Sequence, residues 1–462
     1  MRATLGRPGL RAAALVLIVS TLRLWIAAGV GLGDDEAYYW LWAQRLDWSY
    51  FDHPPMVAWL IAGSTAIFGD SPAAVRLPFA LLGGLLPLQA AGLARSVGRP
   101  PDLTAALVLW APMFTLLSVF ACPDMPLLCA SAACLQAAVW ARGGDAKGRW
   151  ALVGALWGLA LLCKLPALLL GPLLVLWARR AGVGGVLALL SAFLVVAAPV
   201  WLWSFAHDHA MLRFHLVGRH VRPLGAWGGL AAFVGGVVLL SGGTLAGLRR
   251  ASAERRPIDL LGMTYLALFT VSATRTRALP HWAAPGLLLL APAAAGALAL
   301  RPRLRRSRLA IGAALGGLVL VQARWAPLPL PWAADPTVEQ RGWPQVAQRL
   351  QAELQASPPG AFVATTRYQL AAQVAWALGP EVPLRRLGGR PDQLDLWRDD
   401  GPLEGQSALL LCNDQYRCTP EPARWAAGCV ALPDEVVRDA AGAPVRRFTL
   451  WRCGGFIAED PG

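Results

Sequence analysis

Up to residue 325 the chain alternates apolar runs with short polar breaks, the runs falling at about 10–31, 73–93, 101–121, 126–141, 150–163, 165–178, 182–205, 226–248, 257–273, 282–300 and 308–325. Several approach the twenty residues a helix needs to cross a bilayer, and a few are shorter. The pattern predicts a mainly α, polytopic helical membrane protein with about eleven transmembrane helices.

Arginine placement agrees with eleven passes. With Arg2, Arg7 and Arg11 on the cytoplasmic side, alternate loops should be basic. They are: Arg95 and Arg99; Arg142, Lys147 and Arg149; Arg179 and Arg180; Arg249, Arg250, Arg255 and Arg256; Arg301, Arg303, Arg305, Arg306 and Arg308. The segment from Trp150 to Ala178 has basic flanks at both ends, so it must go out and return, with Lys164-Leu165-Pro166 at the outer turn. Arg23 interrupts the first run and no A-x-A site follows, so the reading is an uncleaved first helix rather than a signal peptide.

The pattern changes after residue 325. Residues 326–336, APLPLPWAADP, form a stiff proline-rich break. Beyond it, residues 343–356 have helical periodicity, 361–366 read as a strand, 368–379 as a helix ended by Gly379, and 407–413 as another strand. The expected organisation is a transmembrane domain at 1–325 with a first outer loop at 33–72, a linker at 326–334, and a small α/β domain at 335–462. An odd number of passes places that last domain outside the cytoplasm.

Composition sharpens this picture. Of the 462 residues 56% are hydrophobic, only 15% are charged and 21 are Trp, more apolar surface than one soluble core uses. The net charge of +14 would suit nucleic acid, but its arginines sit in short loops between apolar runs, where topology accounts for them. Cys122, Cys129, Cys134 and Cys163 lie in or beside the apolar runs, as small buried hydrophobes. Cys412, Cys418, Cys429 and Cys453 fall in the domain assigned to the oxidising side, where at least two are expected to pair, with three connectivities open. No P-loop, dinucleotide fingerprint or serine nucleophile elbow occurs, so energy for a reaction must come with an activated substrate.

Candidate chemistry begins at residues 33–60, where Asp34, Asp35, Glu36, Asp47, Asp52 and His53 are set among Tyr38, Tyr39, Trp40, Trp42, Trp48, Tyr50, Phe51 and Trp59. Carboxylates inside an aromatic girdle predict a catalytic loop lying on the bilayer surface. Asp35 is the foremost catalytic candidate; the competing reading makes Asp34, Asp35 and Glu36 a solvated helix start. Asp124, flanked by Pro123 and Pro126, is either a second catalytic acid or an Asx turn or N-cap. Asp52 and His53 could supply a metal ligand pair or a phosphate donor, with surface hydrogen bonding as the alternative. No cofactor is called for, and a divalent metal at that pair stays open.

Lys164 stands out because the chain has 40 Arg and two Lys. Flanked by apolar residues, it must reach an anion or snorkel to the interface. The outer loops add His207, His209, Arg213, His215, Arg219, His220 and Arg222, then Arg275, Arg277, His281 and Trp282, with a plain solvated face as the alternative. Cations facing carboxylates at one interface suit a phosphorylated lipid substrate.

Taken in order, Asp35-Glu36-x-Tyr38-Tyr39-Trp40, Tyr50-Phe51-Asp52-His53-Pro54-Pro55, Phe68-Gly69-Asp70, Val75-Arg76-Leu77, Pro123-Asp124-x-Pro126-Leu127, Lys164 and His281-Trp282-Ala283-Ala284-Pro285 resemble the bacterial family 39 glycosyltransferases. That group includes protein mannosyltransferases and aminoarabinose or galacturonic acid lipid A transferases. The resemblance implies a GT-C fold and a membrane glycosyltransferase taking a hexosyl or pentosyl group from a polyprenyl-phosphate donor to an envelope lipid, glycan or protein at the periplasmic face of the inner membrane. It implies catalytic roles for Asp35 and Asp124, and substrate contacts for Glu36, Tyr39, Asp52, His53, Arg76, Lys164, Arg275, His281 and Trp282. Where the aminoarabinose transferases resemble E-K-P-P, this chain has Asp52-His53-Pro54-Pro55, so no loop lysine acts at His53. A transporter or flippase for lipid-linked sugars is the alternative; it would place ionisable groups at midmembrane in paired broken helices.

Overall fold

The computed structural model describes residues 7–144, 147–218, 226–328, 330, 335, 337–397, 403–438 and 442–458. Arg2, Arg219, His220, Arg222 and linker residues 331–334 lie outside them. The chain divides into a helical unit, Met1–Ala28 with Asp47–Val321, and a mixed unit, Gly29–Leu46 with Gln322–Gly462.

In chain order the helices are α1 (Arg7–Ala28), α2 (Asp34–Ala43), α3 (Met56–Phe68), α4 (Pro72–Ser96), α5 (Pro101–Trp110), α6 (Pro112–Leu117), α7 (Asp124–Ala141), α8 (Lys147–Cys163), α9 (Gly171–Ala178), α10 (Gly182–Ala206), α11 (Ala210–Leu216), α12 (Ala226–Leu240), α13 (Leu248–Glu254), α14 (Pro257–Ser272), α15 (Ala284–Ala299) and α16 (Pro302–Trp325). All but α2 and the end of α16 belong to the helical unit. Every apolar run is helical, yet fewer than expected form one continuous helix of spanning length. Among the described residues four stretches are long and apolar enough to cross a membrane, Pro72–Ser96, Asp124–Ala141, Leu165–Ala206 and Pro280–Ala299. A fifth is the pair Trp227–Leu240 and Thr244–Glu254, bent by 93°.

The breaks have chemical causes. Run 101–121 is cut at Ala111, extended at ψ 130, before Pro112, which has no N–H to continue α5. Run 226–248 is cut at Gly242 and Gly243, both at positive φ. The two cuts pack together, since a Cβ on Gly242 would lie 2.5 Å from the Ala111 Cα. Arg23, buried within α1, donates to the Leu109 carbonyl and to Thr115 Oγ1 (2.7 Å for the latter) beside the Ala111 break. The charge that interrupts the first run therefore satisfies polar backbone that proline left open.

Helices α8 and α10 approach closely through small residues. A Cβ on Gly154 or Gly158 would meet the Leu189 or Phe193 carbonyl at 2.0 and 3.0 Å, and Trp157 stacks on Phe193 with ring centroids 3.8 Å apart. Trp157 Nε1 donates to the Ala167 carbonyl at 2.8 Å, and Tyr265 donates to that of Pro166 at 2.7 Å. The chain thus turns back after Cys163, as the basic flanks predicted, with Lys164 pinned at the turn.

In the mixed unit α17 (Trp343–Gln355), α18 (Tyr368–Leu378) and α19 (Gln393–Leu396) accompany six strands: β1 (Phe362–Thr365), β2 (Leu384–Arg386), β3 (Ala408–Asn413), β4 (Cys429–Ala431), β5 (Glu435–Arg438) and β6 (Pro444–Cys453). The sheet order is β2-β1-β3-β6-β4, with β5 also on β6; β1 is parallel to β2 and β3, and β6 is antiparallel to β3. Period-two alternation sends Val363, Leu409, Leu411 and Leu450 into one core with α17 and α18, and Phe362, Ala364 and Leu410 into the other with Trp425 and Phe456. Disulfides Cys412–Cys418 and Cys429–Cys453 choose the connectivity, the second tying the register pair of β4 and β6.

Residues 33–72 do not form one outer loop of the transmembrane domain: Gly29–Leu46 goes with the mixed unit and Asp47 onward with the helical unit. The cause is aromatic packing of α2 on α18. Tyr38 lies 4.4 Å from Tyr368 and Trp40 4.8 Å from Trp376, centroid to centroid. Tyr38, Tyr39, Trp40 and Trp42 are buried, so these rings make a core and not the bilayer belt expected of them.

Candidate functional site

In the helical unit the sequence candidates Asp124, Lys164 and His281 come together. Asp124 opens α7 after Pro123, and its Oδ2 is 2.7 Å from Lys164 Nζ and 3.8 Å from His281 Nε2. The acid and lysine side chains are 3% and 10% exposed, while the histidine is 33% exposed. A buried pair with a half-open histidine edge leaves the lysine's remaining N–H donors for a further acceptor. His281 and Trp282 sit on the 3₁₀ turn Pro280–Ala283 that opens α15, and Trp282 rests edge-on against Phe269.

The other helical-unit candidates lie as follows. Arg76 is buried, donates through Nη1 to the Ala27 carbonyl at 2.6 Å and covers the Phe120 ring. Asp47 holds two indoles, accepting Trp203 Nε1 at 2.9 Å on Oδ2 and Trp59 Nε1 at 3.0 Å on its carbonyl. Asp52 and His53 are buried, with His215 Nε2 on the Asp52 carbonyl at 2.7 Å and the two imidazoles 5.8 Å apart. A metal caged by protein alone takes about three protein donors. Among the described residues no three His, Cys, Asp or Glu side chains converge into such a cage. Arg275 and Arg277 are exposed.

In the mixed unit the three acids opening α2 have three different settings. Asp34 is buried and accepts Gln373 Nε2 at 3.1 Å; burial pushes its carboxyl up to about 6, against the pull of Arg446 and Gln373. Glu36 is buried and accepts its own Gly33 N–H at 2.8 Å, a helix cap in place of the expected substrate contact. Tyr39 packs against Trp42 at 5.0 Å and is likewise buried. Asp35 is exposed and accepts the Tyr368 hydroxyl at 3.0 Å. Solvent access therefore singles out Asp35 among the three.

Sequence reasoning missed what surrounds Asp35. Glu339, following the proline-rich break, has its carboxyl held well above the usual range, by burial first and then by Asp34, Asp35 and Glu36. Arg446, buried on β6, donates to the Glu339 carbonyl at 2.8 Å and lies over the Trp343 and Phe448 rings. Its alternation with Phe448 and Leu450 marked it as inward-facing, the one signal available in the sequence.

The helical unit's long apolar helices and the mixed sheet define a multi-pass membrane protein of the GT-C fold. The same fold is seen in ArnT from Cupriavidus metallidurans, both in the apo state (TM-score 0.64) and bound to undecaprenyl phosphate (TM-score 0.63), each 20% identical and matched over 96% of this chain and 97% of that one. Residues 52–203 match the family described as dolichyl-phosphate-mannose-protein mannosyltransferase. The chain is also similar to lipid A galacturonosyltransferase RgtD of Rhizobium johnstonii, 29% identical over 54% of this chain and 57% of that protein. It is 31% identical to the undecaprenyl phosphate-alpha-4-amino-4-deoxy-L-arabinose arabinosyl transferase of Pseudomonas aeruginosa, over 61% of this chain and 55% of the relative. The aligned region spans a little over half the length of these curated relatives. The resemblance to family 39 membrane glycosyltransferases read from the motifs therefore stands.

Proposed function

We propose that this protein transfers a sugar, hexosyl or pentosyl, from a polyprenyl-phosphate donor such as undecaprenyl phosphate to an envelope acceptor, lipid A foremost, at the periplasmic face of the inner membrane. The observation that carries the reading is the buried Asp124–Lys164 pair with His281 at its edge, in a fold shared with a protein solved bound to undecaprenyl phosphate. The two disulfides of the mixed unit favour the oxidising side of the membrane for that unit.

In this reaction the acceptor hydroxyl oxygen bonds to the anomeric carbon as the bond from that carbon to the phosphate oxygen breaks. Asp35, the exposed acid, takes the hydroxyl proton, and the polyprenyl phosphate leaves with the bonding pair. Within the helical unit, Lys164, oriented by Asp124, and His281 offer N–H donors to a phosphate oxygen. The donor is already activated, so a base and a cation suffice.

Purified protein in nanodiscs, given a radiolabelled undecaprenyl-phosphate sugar and lipid A, should move label into the acceptor. Donor bound and carried across sealed vesicles without transfer would replace this reading by transport.

A further inference from the structure

The mixed unit carries a second feature that the transfer chemistry does not use. Arg367, Arg386 and Arg390 line one concavity of about 120 Å³ together with Tyr368, Tyr416 and Asp392. Three guanidiniums face one lining carboxylate, and that carboxylate is already engaged: Asp392 Oδ2 lies 2.9 Å from Arg386 Nε. Arg386 is built in, its side chain only 6% exposed and tied also to Asp395, yet among the described residues its Nη1 has no hydrogen-bond partner. An orphaned buried guanidinium donor is costly unless an acceptor reaches it. The neighbouring loop keeps space there, because Gly389, at φ +89, would place any Cβ 3.1 Å from that same nitrogen. Arg390 lies 5.0 Å over the Tyr368 ring and Arg367 6.0 Å from the Tyr416 ring, so both outer cations are held at the rim by aromatic faces.

Planar, always-charged forks converging on one small concavity match the oxygens of a phosphate. With Asp395 counted beside Asp392, three guanidiniums keep an excess of one positive charge, which suits an anion that takes several N–H donors through several oxygens. The concavity also shares a wall with the candidate base, since Tyr368, which lines it, donates to Asp35.

We propose that the mixed unit binds the phosphate-monoester group of a phosphorylated sugar acceptor in the Arg367, Arg386 and Arg390 pocket, and that Tyr368 links this anchor to Asp35. The assignment rests on the transferase reading for its acceptor role, and on the pocket alone for its ligand chemistry.

The test uses the full chain in detergent, with glucosamine 1-phosphate as probe and calorimetry as readout. Wild type should bind the probe saturably, with binding weakened by added salt. Arg367→Gln with Arg390→Gln should weaken it tenfold or more, and Arg367→Glu, at an exposed position that does not threaten folding, should weaken it at least as far as Arg367→Gln alone. Equal binding of glucosamine, or unchanged binding in the variants, overturns the site. Inorganic phosphate binding as tightly as the probe overturns the acceptor role and leaves a free-phosphate site. In transfer assays the double variant should lose about tenfold in kcat/KM for a phosphorylated acceptor and keep its KM for the donor; an unchanged acceptor kcat/KM overturns the anchor. Should no acceptor be glycosylated by wild type, the transferase reading fails, while probe binding still decides the pocket.

Discussion

Both units bury acids, and they neutralise them in opposite ways. In the helical unit one carboxylate, Asp124, meets one ammonium, Lys164, at 2.7 Å with little solvent on either. In the mixed unit Asp34, Asp35, Glu36 and Glu339 crowd together with Arg446 as the basic group acting on them, and protonation does part of the work that a second cation would do. The difference separates a fixed ion pair from a set of acids in which, of the three on α2, Asp35 is the exposed one.

The contrast breaks most severely at Lys164. Lys164→Ala strands a buried carboxylate, which typically costs about 3–5 kcal/mol. Both transfer and the melting temperature should fall, with donor affinity lost. Adding Asp124→Asn should recover much of the melting temperature and none of the transfer. Recovery of transfer in the double variant would reduce the pair to a structural strut.

A smaller effect is expected at Tyr368. Tyr368→Phe keeps the ring packed on Tyr38 and removes the hydroxyl that Asp35 accepts, a bond worth about 1 kcal/mol, or roughly fivefold. The loss should appear in kcat, with thermal stability unchanged. A drop in stability without a kinetic change would make Tyr368 purely a packing residue.

Smallest in its consequence for transfer, and felt in stability alone, is the titration of Asp34. Its folded-state value of about 6 lies above the ordinary 3.8, so the folded protein holds this proton where the unfolded chain has released it. Stability from this group is present at low pH and is lost as pH rises through about 4 to 6; Glu339 acts in the same direction. Asp34→Asn keeps an oxygen for Gln373 and should raise the melting temperature at pH 7.5, by a free energy of at most about 3 kcal/mol, with no gain at pH 4. Differential scanning calorimetry at both values checks this, and a lower melting temperature at pH 7.5 would reverse the assignment.

The halves of this comparison were unequally legible in the sequence. Apolar runs marked the helices of the helical unit except α3, α11 and α13, and the rarity of lysine with the proline-flanked Asp124 marked both members of the ion pair. Their 2.7 Å approach was not visible, because it depends on α7 and on the α8 turn that Trp157 and Tyr265 hold in place. In the mixed unit α17, α18, β1 and β3 followed from periodicity. The capture of α2 did not, since Tyr38 and Trp40 suit a membrane interface and a protein core equally well, and only partners more than 300 residues away, Tyr368 and Trp376, decide between them. For the same reason the contact of Arg76 with the distant Ala27 carbonyl was not visible in the sequence.

The most direct test of the contrast between the two units is a single-turnover transfer assay on Asp35→Asn, with donor binding measured on the same preparation. Asparagine keeps the shape and the Tyr368 contact but accepts no proton, so the account predicts transfer reduced a thousandfold or more with donor affinity near wild type. Transfer at a wild-type rate by a folded Asp35→Asn protein would contradict it.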